Sequence, residues 1–88
     1  NNNDYKNSLY LRFEVKDKPG VLSLITKRLA KFKISIKRII QTPDKKNNRA
    51  TIVIITHKTN ELNSRQCLEM FNKNRFFDRF PTLIRLYN

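Results

Sequence analysis

Two spacings of apolar residues alternate along this chain and restrict the folds open to it. Residues 9–15 are apolar at every second position, which is typical of a strand with one buried face. From Val21 to Phe32 the spacing becomes three and four, and Pro19 suits a first helical turn, so the sequence predicts an amphipathic helix over residues 19–32. Such a helix has one apolar stripe, which must pack on a sheet or on another helix.

The second half of the chain predicts three more strands and one more helix. Residues 34–42 read as a strand whose apolar phase slips between Ile36 and Ile39, which indicates a β-bulge near residues 37–38. A turn-rich segment follows, and then residues 50–55 are apolar on both faces, as in a central strand covered on both sides. A helix over 61–73, capped by Thr59 or Asn60 and burying Cys67, Leu68 and Phe71, precedes a last strand over residues 82–86.

The predicted order βαββαβ places the chain in the α+β class. Two strand–helix–strand units with right-handed crossovers give a ferredoxin-like sandwich, in which a four-stranded antiparallel sheet carries both helices on one face. We predict one domain over residues 8–88, with residues 1–7 as a disordered segment or linker. Because the third strand is apolar on both faces, we also expect a partner surface on its far face or along a sheet edge.

The composition narrows the possible functions but does not select one. The formal charge of +12 suits a nucleic acid or an anionic membrane surface, but the abundance of Lys, Asn, Ile and Phe also fits a genome with AT-rich codons. No apolar run approaches the roughly 20 residues of a membrane span, so we expect no membrane contact. The single cysteine excludes an internal disulfide and agrees with a reducing, cytoplasmic location. The first residue, Asn1, favours a fragment of a longer polypeptide.

Residues that could catalyse a reaction are few. His57 follows the third strand, and Cys67 falls within the apolar stripe of the second helix, where packing is its expected role. The sequence has no paired carboxylates with a plausible shared cleft, no glycine-rich phosphate loop and no metal-ligand cluster. We therefore expect no catalytic residue, no bound metal and no cofactor within this segment.

An RNA-binding role is open to the same fold. RNA-recognition motifs stack bases on aromatic residues of the two central strands, but residues 49–56 contain no aromatic residue and Tyr10 stands alone on the first strand. Basic residues are concentrated between residues 18 and 43, where there is no acidic residue; they could track phosphates, or they could be a solvated helix face and a lysine-rich edge. The sequence thus argues against a nucleic-acid partner.

The segment between the first strand and the first helix favours a small zwitterion. The N–H groups of Gly20, Val21 and Leu22 would point out of the helix start, where the helix dipole favours a carboxylate. The carboxylate of Asp17, one residue before the expected cap at Lys18, could bind an ammonium group. The alternative is that Asp17 and Pro19 only begin the helix.

Residues 11–22 resemble the first strand, D-x-P-G-V-L loop and helix of ACT domains. The segments around Ile34-Ser35-Ile36 and Ile40-Gln41, the sequence Thr-His-Lys-Thr at 56–59, and Pro-Thr-Leu-Ile-Arg-Leu at 81–86 are more narrowly similar to the C-terminal ACT domain of bacterial homoserine dehydrogenases. The resemblance spans residues 9–87.

This resemblance implies a regulatory domain. The parent enzyme would interconvert L-homoserine and L-aspartate 4-semialdehyde with NAD(P), through an upstream catalytic domain. The ACT segment would bind a free amino acid, threonine being the expected feedback inhibitor, and would pair with a second copy through a sheet edge as a homodimer or higher oligomer. The effector-binding residues carried over are Asp17, Lys18, Pro19, Gly20, Val21, Leu22, Ser35, Ile36 and Gln41.

Two other assignments stay open at this point. An ACT module of another amino-acid enzyme, such as a phosphoglycerate dehydrogenase or the regulatory subunit of acetolactate synthase, would bind serine or a branched-chain amino acid. A basic nucleic-acid-binding module would show binding that weakens steeply with salt.

Overall fold

The computed structural model describes residues 6–71, 77 and 79–87, and its elements follow the predicted order. The strands and helices are β1 (Lys6–Lys16), α1 (Val21–Lys31), β2 (Ile36–Asp44), β3 (Arg49–Thr56), β4 (Thr59–Asn60), α2 (Glu61–Glu69) and β5 (Thr82–Leu86). The two-residue β4 is the one described strand that the apolar pattern did not predict.

The sheet is antiparallel, with β1 and β3 at its centre. β1 pairs with β3 from Tyr10↔Ile55 to Lys16↔Arg49 and, on its other side, with β5. β2 pairs with β3, and β4 pairs with the first two residues of β1. This is the predicted arrangement, with β2 and β5 on opposite edges.

The β2–β3 hairpin contains the bulge that the slipped pattern predicted. The register shifts between Ile36 and Arg38, so that Lys37 is the extra residue on β2. At the other end of the hairpin, Asn48 takes a positive φ of 52°, a conformation that Asn adopts more readily than most residues. The Asp44 carboxylate closes this turn by accepting hydrogen bonds from Lys46 N (3.2 Å) and Asn47 Nδ2 (2.9 Å).

The core lies between one face of the sheet and the two helices. Inward-facing residues of β1 and β3 alternate with partly exposed ones, because successive side chains of a strand point to opposite faces. The rings of Phe13, Phe71 and Phe77 contact one another at centroid distances of 5.0–6.3 Å. All three rings are fully buried, so this aromatic cluster fixes α2 on the sheet.

Arg28 joins the two helices. Its Nη1 donates to the carbonyl oxygen of Met70 at 2.6 Å, and its guanidinium lies 5.4 Å from the centroid of the Phe71 ring. The backbone oxygen of Arg28 also accepts a weak contact from Cys67 Sγ at 3.9 Å. The end of α2 is therefore held against the last turns of α1.

Several boundaries differ from those predicted. β1 begins at Lys6, because Lys6 and Asn7 pair with β4 instead of preceding the sheet. α2 ends at Glu69, and residues 72–73 of the predicted helix lie outside the described residues. Of the two expected cap residues, Asn60 is the one that caps α2. Its side-chain oxygen accepts a hydrogen bond from Asn63 N at 2.7 Å.

The sheet face opposite the helices carries exposed apolar side chains. Ile40 and Ile84 are 44% and 50% exposed there, with the half-buried Val53 and Ile55 between them. Arg12 and Glu14 form an ion pair on the same face at 2.7 Å. None of the helices in the described ranges combines the length and the hydropathy that a bilayer span requires.

Candidate functional site

The connection from β1 to α1 is a tight turn followed by a helix start. Lys18 O accepts from Val21 N at 3.4 Å, and Gly20 has φ 90° and ψ −14°. These angles are those of the third residue of a type II turn, which favours Pro before it and Gly at that position. Pro19 and Gly20, the single glycine of the chain, occupy these two positions.

This turn corrects two details of the prediction. The helix begins at Val21, with Gly20 as its cap, so neither Lys18 nor Pro19 holds the expected position. The reason is the left-handed backbone of Gly20, which delays helical geometry by two residues relative to a Pro-initiated helix. The N–H of Val21 is also not free, because the turn uses it.

Three backbone donors remain at the helix start. Within the described ranges, Gly20 N, Leu22 N and Ser23 N make no hydrogen bond to a backbone acceptor. The first turn of α1 carries no acidic side chain and no side-chain cap. The positive end of the helix dipole is therefore left for an external anion.

A cavity of about 370 Å³ lies against this turn. All six predicted loop residues line it, and Gln41 of β2 joins them from across the sheet. Ala50 and Ile52 of β3, both buried, form an apolar floor. The cavity thus combines backbone donors, the carboxylate of Asp17, the carboxamide of Gln41 and an apolar surface, and a zwitterion with a short side chain could use each of them.

Ser35 and Ile36 do not line this cavity. Ser35 is exposed, and its carbonyl oxygen accepts from His57 N at 2.9 Å. Ile36 pairs with Thr56 before the bulge, at the opposite end of β2 from Gln41. Five residue steps along the strand separate Ile36 from Gln41, about 16 Å. Within a single chain, Ser35 and Ile36 therefore do not reach the loop between β1 and α1.

Four lining residues were not among the predicted set: Val15, Lys16, Ala50 and Ile52. Val15 pairs with Ala50, whose small side chain leaves room beneath the turn. Knowledge of the strand register would have identified these four lining residues. The apolar pattern alone does not specify which residue of β1 pairs with which residue of β3.

A larger groove of about 610 Å³ runs between α2 and β5. Its charged end is internally paired, because Arg85 Nε and Nη2 donate to the two oxygens of Glu61 at 2.6 and 2.7 Å. These hydrogen bonds lower the pKa of Glu61 against the opposing effect of desolvation. Beside this pair, the groove presents Arg65 and Glu69 together with the apolar side chains of Leu68, Phe80 and Leu83.

The candidate nucleophile of the sequence is a core residue. Cys67 is buried, as predicted, and burial raises the pKa of its thiol to about 11, which disfavours the reactive thiolate. Among the described residues, no group of three His, Cys, Asp or Glu side chains lies close enough together to hold a metal ion.

Comparisons with known proteins agree with the fold of the chain. The model of the ACT domain family matches residues 9–73. Homoserine dehydrogenases of Neisseria gonorrhoeae and Helicobacter pylori are 34% and 38% identical to the chain, each over 90% of its length. The crystal structure of a homoserine dehydrogenase from Thiobacillus denitrificans superposes on 98% of the chain with a TM-score of 0.83 and 28% identity. The chain spans only 18–19% of the length of these three proteins.

Proposed function

The chain belongs to the ACT domain family, and on this premise we propose that it is the amino-acid-binding regulatory domain of a homoserine dehydrogenase. The observation that carries the amino-acid part is the cavity at the start of α1. It places unpaired backbone N–H groups and the carboxylate of Asp17 on one small surface.

An α-amino acid would bind with its carboxylate at the helix start. Gly20 N and Leu22 N would donate to the carboxylate oxygens, and the dipole of the 11-residue α1 would favour the negative charge. Asp17 would accept from the ammonium group. The effector side chain would then contact Ala50 and Ile52, while Gln41 could donate to or accept from a hydroxyl group.

A second copy of the chain is part of the proposal. The outer edge of β2 is free of strand partners in the described chain, and Ile39 on this strand is 40% exposed. If two copies of β2 paired antiparallel about a twofold axis near Ile39, Ile36 of one copy would lie opposite Thr42 of the other. Ser35 and Ile36 would thereby approach the loop of the second copy, which a single chain cannot achieve.

The catalytic activity belongs to the rest of the parent enzyme in this proposal. The relatives are named homoserine dehydrogenases, which supports a parent enzyme that dehydrogenates homoserine. As part of the proposal, the parent would interconvert L-homoserine and L-aspartate 4-semialdehyde with NAD(P) held outside this segment. Threonine, the proposed effector, would inhibit by binding one arrangement of the subunits more tightly than another. Threonine could shift the equilibrium between the two arrangements by no more than this difference in its affinity for them.

Calorimetric titration of the intact protein with L-threonine, L-serine and L-valine tests the proposal. We expect threonine to bind, and Asp17→Asn to weaken its binding about tenfold or more through loss of the ammonium contact. Glu69→Gln, which removes one negative charge from the exposed end of α2, is the matched control and should leave the affinity unchanged.

An activity assay addresses the regulatory part. Threonine should slow homoserine oxidation by the wild-type enzyme and by Glu69→Gln, and should inhibit Asp17→Asn only at higher concentration. Equal threonine affinity in all three proteins would exclude Asp17 from the site, and absence of threonine binding to the folded oligomer would contradict the sensing role.

A further inference from the structure

The outer edge of β5 has no strand partner among the described residues. β5 pairs with β1 on one side, and no described strand lies on its other side. In an antiparallel ladder, every second residue directs its N–H and C=O groups away from the partner strand, so β5 presents a row of backbone donors and acceptors outward. An extended segment of polypeptide can add a strand at such an edge.

The side chains of β5 do little to prevent a further strand from pairing. Proteins commonly protect an exposed edge with charged residues, proline or a bulge. The strand, Thr-Leu-Ile-Arg-Leu, contains no proline, and its ladder with β1 runs without a register shift. Its one charged residue is Arg85, whose guanidinium is held by both carboxylate oxygens of Glu61. The edge of β5 therefore lacks the protection that is typical of an edge exposed to solvent.

The groove of about 610 Å³ between α2 and β5 runs beside this edge. No residue of β1 lines it, so it lies over β5 and the outer side of that strand. Leu68 and Leu83 in its lining are partly buried and pack on the core, whereas Phe80, two residues before β5, is 57% exposed. Leu83 faces the groove, while its neighbours Thr82 and Ile84 line a space on the opposite sheet face. A strand added to β5 would likewise direct every second side chain into the groove.

The lining of this groove has no net charge, although the whole chain has a formal charge of +12. Its charged residues are two acids and two bases, namely Glu61, Glu69, Arg65 and Arg85. Such a lining gives little attraction for a polyanion or a polycation. Burial of Leu68, Phe80 and Leu83 against apolar side chains would be favourable, so the lining fits an uncharged, apolar segment.

We propose that the groove holds an extended segment of the parent enzyme, which adds a strand to β5 and inserts alternate apolar side chains beside α2. The source of the segment rests on the proposed function. The chain spans only 18–19% of the length of its relatives, so most of such an enzyme lies outside these 88 residues. Lys6 pairs with Asn60 at the start of α2, so a polypeptide that enters β1 arrives near the Glu61 end of the groove.

A second copy of the chain is the less favoured occupant. The proposed homodimer already pairs two copies through the edge of β2, which is the opposite edge of the sheet. If copies paired through β5 as well, the two kinds of contact would build an open-ended sheet instead of a closed oligomer. A different segment of the same enzyme would cover β5 and end the sheet.

Hydrogen–deuterium exchange of the intact protein, resolved to single amides, tests the strand addition. If the edge is covered, all five amides of β5 exchange slowly; if it is free, slow and fast amides alternate, because only every second N–H faces β1. Phe80→Gln removes an apolar contact and should speed exchange of the outward-facing amides about tenfold, with the others unchanged. Tyr87→Gln, which replaces a ring that is 73% exposed and outside the groove, is the matched control and should change neither set.

Photo-crosslinking identifies the segment without weakening the groove. p-Benzoyl-L-phenylalanine incorporated in place of Phe80 keeps an aromatic ring at the groove. In the purified intact protein, we expect it to crosslink to a segment outside these 88 residues, and the same probe in place of Tyr87 should not reach that segment. A crosslink to β5 of a second copy, or exchange protection of β5 that is lost on dilution, would assign the groove to a second copy and overturn the proposal.

Failure of this proposal is distinguishable from failure of the proposed function. Alternating fast and slow amides along β5 in a wild-type protein that binds threonine would overturn the strand addition alone. Uniform protection of β5, together with a crosslink from position 80 to a segment outside these residues, in a protein that does not bind threonine would support the strand addition and contradict only the sensing role.

Discussion

Replacement of Gly20 by alanine isolates the energetic cost of the turn that opens α1. Gly20 has φ 90°, and a Cβ built on it meets no other atom within 4 Å. The penalty therefore comes from the left-handed backbone alone, about 1–2 kcal/mol for a residue with a Cβ. In a domain of this size, such a loss lowers the melting temperature by roughly 5–15 °C.

Thermal and urea unfolding followed by circular dichroism measure this loss. Gly20→Asn should cost less than Gly20→Ala, because Asn visits the left-handed region more readily. Lys33→Gly is the inverse control: Lys33 follows α1 with φ 59°, so glycine relieves strain there while leaving the cavity untouched. If Gly20→Ala were as stable as the wild-type protein, the assignment of a type II turn at residues 18–21 would be refuted.

Two further predictions concern the core. Thr56→Val should destabilise the fold by about 1–3 kcal/mol in urea unfolding, because Thr56 Oγ1 accepts the buried N–H of Leu9 at 2.9 Å and valine would leave that donor unpaired; Thr56→Ser, which keeps the hydroxyl, should retain most of the stability. Burial raises the pKa of Cys67 from 9.0 to about 11, so its contribution to stability is complete below pH 9 and is lost as the pH rises toward 11. Stability measured between pH 8 and 11 should therefore fall more steeply in the wild-type protein than in Cys67→Ala, and parallel curves would contradict this account.

Element order, the bulge and the location of the loop were predictable from the sequence because each depends on local spacing. The change in apolar phase between Ile36 and Ile39 indicates a bulge directly. One extra residue in a strand moves every following side chain to the opposite face of the sheet. The last strand was predicted with its observed bounds, because Pro81 precedes a short β-branched and leucine-rich run.

The details of the site depended on information that spacing lacks. Pro19 is compatible both with the first turn of a helix and with a type II turn, and the left-handed φ of Gly20 decides between them. Ser35 and Ile36 were assigned from resemblance to a family, whereas their distance from the loop follows from which end of β2 the hairpin turn adjoins. Residues of β3 beneath the loop, such as Ala50, required the register with β1.

The hydrogen bond from Asp17 N to Asn48 O, together with the ring of Pro19, bears on how fast and how tightly the proposed effector would bind. The loop gives up its conformational entropy when the domain folds, so an arriving ligand has little left to order. The backbone N–H donors are already in place at the start of α1, so binding of the effector would not require a prior rearrangement of the backbone. Loss of the hydrogen bond between Asp17 and Asn48 would keep the same chemical groups in the loop. It would still slow association, because only a fraction of the molecules would have the loop in its binding-competent conformation.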